Sequence, residues 1–126
     1  MSELARIVVH DEDDLRVVEV AGELDASNAE DVRAAAIDEV ANSLHGVVFD
    51  FRGLAYIDSA GIALVFDVGE RLINRGQKLA LVVPPTAVIR RALDVTGIEE
   101  IAPVVPTLEA AREHVLPGRG ERRSGA

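Results

Sequence analysis

Two short, mostly apolar runs, "VVFDF" at 47 to 51 and "LALVV" at 79 to 83, stand on either side of a longer stretch, "AGIALVFDVGERLINRG". That arrangement constrains the fold more than any other feature of the chain. Five mostly apolar residues bounded by turn signals suit a strand, whereas Leu64, Val65, Val68 and Leu72 recur at helical spacing. Asp67, Glu70, Arg71 and Asn74 fall on the helix's other side, facing water, and Gly76 ends it. Strand, helix and strand in this order make a right-handed crossover with the strands parallel.

The flanking sequence extends the pattern. "ARIVVH" and "LRVVEVAG" read as two strands joined across the acidic "DEDD", and so antiparallel. Asp11, Glu12, Asp13 and Asp14 are expected to be turn and solvent residues. A helix should follow, with Ser27 and Glu30 as a capping box, a stripe of Ala29, Val32, Ala36, Val40 and Leu44, and Gly46 closing it. Pro84 and Pro85 stop the later strand; a short helix runs from about Ala87 to Asp94, with Thr86 as its cap. "IAPVVP" is a short edge strand, because proline excludes a central position. Thr107 caps a last helix, "TLEAAREHV".

The whole is an α/β domain. Strands joined this way end on one edge of the sheet, where ligands and partners bind. Three loops should gather there: Gly22 to Ser27, Gly53 to Ser59, and Pro84 to Thr86. They bring Asp25, Asp58, Ser59 and Thr86 together. Ser59 precedes a helix, so it reads as an N-cap. A helix N-terminus also tolerates an added phosphate, through its dipole and free N–H groups, so a cap and a phosphorylation site are compatible.

Enzyme readings fare poorly. A nucleophile elbow needs G-x-S-x-G, and Ile57 stands where its first glycine would be. His10 and His45 fall at the far edge of the sheet, so no serine–histidine pair is favoured. "VVHDEDD" and Asp50 suggest the acidic pocket of a response-regulator receiver. A strand, not a helix, follows that acidic pair, and Lys78 precedes its strand instead of following it. Asp50 is expected in a hydrogen-bonding role at a turn or half-buried. No P-loop or Rossmann glycine pattern is present.

Charge and composition close further options. The net charge of −9 and aromatic content of 3% argue against nucleic acid. No cysteine is present, and no apolar run approaches a membrane span. With no signal-peptide pattern at the N-terminus, a cytoplasmic chain without metal or cofactor is expected. Residues 1–116 read as one domain. The end, "PGRGERRSGA", carries three arginines and one glutamate, a net of +2, and reads as a disordered basic tail over 117–126.

Taken together, "VAGELDASNAEDV", "GVVFDFRGLAYIDSAGIALVFDVGERLINRG" and "LALVVPPTAVIRRALDVTGIEEIAPVVPTLEAA" resemble the STAS domain, and more closely the bacterial anti-sigma factor antagonists. The resemblance covers about residues 5 to 116. It implies a mixed β-sheet of four to five strands with about four helices. It also implies a partner switch: the bare antagonist binds an anti-sigma factor serine kinase and frees the sigma factor, phosphorylation dissociates the pair, and a serine phosphatase restores it. Carried onto this chain, Ser59 is the acceptor, with Asp58 beside it and Asp25 of "GELD" at the partner surface. Gly61, Ile62 and Phe66 are further candidates for that surface, although Ile62 and Phe66 equally suit the core. Ala60 stands where the family often has a second serine, and Ala63 where it often has glycine. The same fold serves elsewhere as a non-phosphorylated adaptor in lipid-transport or scaffold complexes, and a small-ligand sensor is a weaker option.

Overall fold

The computed structural model describes residues 5–38 and 44–117. Strands β1 (Ala5–Glu12) and β2 (Leu15–Leu24) form an antiparallel hairpin whose register runs from Glu12 opposite Leu15 to Ala5 opposite Gly22. Asp13 and Asp14 make the two-residue turn, with φ of +53° and +66°. Two left-handed residues match the right-handed twist of the strands, and aspartate tolerates that region. The turn acids are not simply solvated. Arg16 Nε donates to Asp11 at 2.8 Å, and Arg112, from the last helix, reaches both Glu12 at 2.6 Å and Asp13.

From β2 the sheet continues in parallel through β3 (Gly46–Asp50), β5 (Lys78–Val82) and β6 (Val104–Val105), in the order β1-β2-β3-β5-β6. The parallel core, the N-terminal hairpin and the edge position of β6 all follow the sequence expectation. Four helices accompany them among the described residues: α1 (Ala29–Ile37), α2 (Ser59–Asn74), α3 (Val88–Asp94) and α4 (Leu108–Val115). A 3₁₀ turn spans Ile98–Glu100.

The sheet has six strands among the described residues, more than the four to five expected. The addition is β4 (Leu54–Ile57), in a segment read from sequence as loop. Leu54 and Ile57 are buried while Ala55 and Tyr56 are exposed, so the segment lacks the alternation that marks a strand. It becomes one because β2 is ten residues long and β3 pairs only with its first half, Leu15 to Glu19. The exposed edge of the second half, Gly22 to Leu24, takes β4 in parallel, with a register shift between Gly22 and Glu23.

Both faces of the central strands are covered. Val18, Val20, Phe49 and Leu81 pack with Val32 of α1 and Val65, Val68 and Leu72 of α2. Phe49 and Phe51 stack with ring centroids 5.2 Å apart. On the opposite face, Val17, Val48, Ala80 and Val82 meet Ala111 and Val115 of α4. Two-sided burial explains why these strands read as continuous apolar runs and why an aliphatic composition suffices.

Helix ends account for most differences from the sequence expectation. Ser27 and Glu30 do not form a capping box. Asn28 is the N-cap of α1, Ser27 donates to Asp25, and Glu30 pairs with Arg33. The Asp25 carboxylate offers Ser27 a nearer acceptor, which keeps the serine from the helix end. Gly46 does not close α1: it opens β3, where a Cβ would lie 2.0 Å from the Lys78 carbonyl oxygen of β5. The expected helical position of Val40 lies outside the described residues, as does most of the expected tail, and Leu44 is not helical. Thr86 does not cap α3. It is exposed in a turn closed by Ala87 N–H donating to Pro84 O at 3.0 Å, and Ala87 takes the cap position. Gly76 ends α2 as expected, with φ +76°. Gln77 N–H returns to Leu72 O at 2.8 Å and Gly76 N–H to Ile73 O at 2.9 Å, the paired bonds of a Schellman stop. Thr107 caps α4, its hydroxyl accepting from Ala110 N–H at 3.1 Å.

Candidate functional site

The C-terminal ends of β2, β3, β4 and β5 lie along one edge of the sheet, and the loops that leave them form the candidate site. Pairing of β2 with β4 joins the two segments richest in candidates. Leu24 lies opposite Ile57, and Asp58 N–H donates to Leu24 O at 3.1 Å, so Asp25 and Asp58 follow adjacent strand ends.

Asp58, not Ser59, caps α2. Its backbone is extended (φ −106°, ψ −172°) and its Oδ1 accepts the Gly61 N–H at 3.0 Å. This satisfies one of the orphan donors of the first turn and sets a negative group against the positive helix end. The correction matters for Ser59. As the first helical residue it is exposed, and among the described residues its hydroxyl has no hydrogen-bond partner. The aspartate is the better acceptor for that N–H, so the fold makes no use of the serine's oxygen.

Asp25 is half-buried and shapes its own loop. Its Oδ1 accepts from Ser27 N–H at 2.9 Å and Ser27 Oγ at 2.6 Å, while its N–H donates to Asn28 Oδ1 at 3.0 Å. Asn28 Nδ2 in turn donates to Glu23 O at 2.8 Å, pinning the loop to the end of β2. Gly61, in the first turn of α2, is buried against β2 and β4, where a Cβ would lie 2.8 Å from Ile57 Cγ1 and 2.9 Å from Leu24 O. Only a residue without a side chain lets the helix start this close to β2 and β4. Ile62 and Phe66 are half-buried and pack against the main core, each leaving part of its side chain at the surface.

Asp50, which sequence placed in a turn or half-buried, is 4% exposed at the end of β3. Its carboxylate accepts from Arg52 Nε at 2.9 Å and Nη2 at 2.7 Å. A bidentate arginine occupies both oxygens and holds the turn into β4. His45 lies before β3 and His10 opposite Val17, both towards the edge away from Ser59, as expected. Thr86 lies in the turn that follows the site end of β5.

Sequence reasoning missed Tyr56, which is 49% exposed on β4 and opposite Glu23 in register. Only the recognition of β4 as a strand would have placed it outward. A shallow groove also runs between α1 and α2, floored by Ala26, Ala29, Ala60 and Ala63 and rimmed by Arg33 and Asp67. Among the described residues no group of three metal-ligating side chains converges, and no helix is long and apolar enough to cross a membrane.

Known proteins share this architecture. The STAS domain model matches residues 6–111. An anti-sigma factor antagonist from Mycobacterium paratuberculosis is 28% identical with a TM-score of 0.78, covering 91% of this chain and 97% of that one. A putative anti-sigma factor antagonist from Thermotoga maritima is 23% identical, with a TM-score of 0.73 and coverage of 86% and 93%. The Bacillus cell fate determinant SpoIIAA in its phosphorylated form is 23% identical, with a TM-score of 0.65 and coverage of 88% and 100%. No curated protein matches the sequence. With the six-stranded sheet, the covering helices and a family match over most of its length, the chain belongs to the STAS domain family.

Proposed function

We propose that this chain is an anti-sigma factor antagonist of the cytoplasm, without catalytic activity of its own. It binds an anti-sigma factor that is also a serine kinase, and phosphorylation of Ser59 ends that binding. A serine phosphatase restores the bare form. The observation that carries this reading is the division of labour at the start of α2: Asp58 caps the helix, and Ser59 stands exposed with its hydroxyl unbonded among the described residues. The likeness to an antagonist from Mycobacterium paratuberculosis supports it.

A phosphoserine adds about 1.5 to 2 negative charges. A unit pair of like charges ~5 Å apart, at an effective dielectric of ~20, costs on the order of 3 kcal/mol. That is roughly a hundredfold in affinity if the facing group is a carboxylate of the partner. The domain itself need not refold, because the hydroxyl lies outside the hydrogen-bond network that holds α2. Asp25 and Asp58 border the proposed surface, with Ile62 and Phe66 as its apolar part and Gly61 setting the height of α2 beneath it.

Incubation with the cognate kinase and ATP, followed by peptide mass spectrometry, should place one phosphate on Ser59 and none on the Ser59→Ala chain. Ser59→Asp should lose kinase binding while keeping its fold. Tight kinase binding by Ser59→Asp, or phosphate found only elsewhere, would overturn the proposal.

A further inference from the structure

Strand β1 is the outer strand of the sheet. It pairs with β2 on one side, and among the described residues no strand pairs with its other side. The hairpin register determines which backbone groups are left over. Glu12 and Leu15 close a two-residue turn, and such a pair exchanges both its hydrogen bonds. Counting back, Glu12, His10, Val8 and Arg6 direct their N–H and C=O to β2. Asp11, Val9, Ile7 and Ala5 direct theirs outward. The strand contains no proline, and Val8 and Val9 are 43% and 41% exposed. An eight-residue edge of this kind is a template for another strand.

We propose that β1 pairs antiparallel with β1 of a second copy of this chain, about a two-fold axis at Val8. Symmetry limits the choice of register. Adjacent residues point to opposite faces of a sheet, so the axis must set one residue against itself. At Val8 it sets Val8 against Val8 on one face and Ile7 against Val9 twice on the other. Every central position then meets an apolar partner, and the outward groups from Ala5 to Asp11 all pair. An axis at Val9 would set Ile7 against Asp11, and one at Ile7 would leave Asp11 without a partner among the described residues. At the flanks Arg6 meets His10 and Ala5 meets Asp11. Asp11 is held by Arg16 and Glu12 by Arg112 within each copy. This inference is independent of the role proposed for Ser59.

Sedimentation equilibrium on the full chain, from micromolar to millimolar concentration, tests it. A monomer–dimer equilibrium is expected. Val9→Lys sets a cation on the outward edge and should weaken self-association at least about tenfold, with circular dichroism unchanged. Val9→Pro removes only an outward N–H, leaves the bonds to β2, and should act alike. In the dimer, amide exchange at Ile7 and Val9 should slow with rising concentration, while exchange at Val8 should not. A chain that stays monomeric throughout, a dimer indifferent to both variants, or a dimer without that alternation would each overturn the proposal.

Discussion

Asp58 and Ser59 are neighbours with opposite relations to the fold. The carboxylate of Asp58 bonds the Gly61 N–H; the hydroxyl of Ser59 bonds nothing among the described residues. Asp58→Ala should therefore lower stability by about 1 kcal/mol, the usual worth of a side-chain cap. Ser59→Ala should stay within about 0.5 kcal/mol of the parent, as exposed substitutions do. Urea unfolding of both variants checks the contrast; equal losses would return the capping role to the serine. Gly61→Ala is the harsher change. Its Cβ would lie 2.8 and 2.9 Å from Ile57 and Leu24, whose side chain and carbonyl are both buried. Overpacking of this kind costs about 1–3 kcal/mol, and the same unfolding experiment should show it.

At the scale of elements, the strands and helices with a clear period are legible in the amino-acid sequence. "VVFDF", "LALVV" and the α2 stripe of Leu64, Val65, Val68 and Leu72 each bury the side that their pattern implies. β4 is not legible there, because four residues with a buried–exposed–exposed–buried pattern become a strand only when a longer neighbour offers an edge. Helix starts mislead for a related reason. Ser27 and Ser59 both look like caps, yet each sits beside an aspartate that changes which groups are free to bond. α4 carries a pH effect that sequence alone does not announce. His114, although exposed on α4, has its pKa lowered, first by partial desolvation and then by the charge of Lys78. Its neutral form is favoured in the folded state. It adds stability above its ordinary pKa near 6.5, and that stability is lost as pH falls below it. Thermal melts from pH 7.5 to 5.5 should show a modest decline that His114→Gln reduces; an unchanged slope in the variant would refute the assignment.

The molecule as a whole separates a stable scaffold from an adjustable edge. The core strands are covered on both faces, whereas the proposed switch adds charge to an exposed residue on the first turn of α2. Ser59→Asp should therefore leave the unfolding midpoint nearly unchanged, and the negative charge on the first turn of α2 even favours the helix slightly. Circular dichroism melts alongside kinase binding would read the two properties separately. A large drop in the midpoint would mean that loss of binding reflects damage to the fold.

Sequence by itself determined the α/β class, the parallel core, the hairpin and the place of Ser59 at a strand-to-helix passage. Those follow from local periodicity and from the handedness of connections, which act within a few tens of residues. Tertiary structure alone decided that β4 joins β2, that Asp58 rather than Ser59 caps α2, that the turn acids are held by Arg16 and Arg112, and that among the described residues no strand pairs with the outward edge of β1. Each of these depends on which groups compete for the same donor or the same strand edge once distant segments meet. That competition is settled only by distance in space.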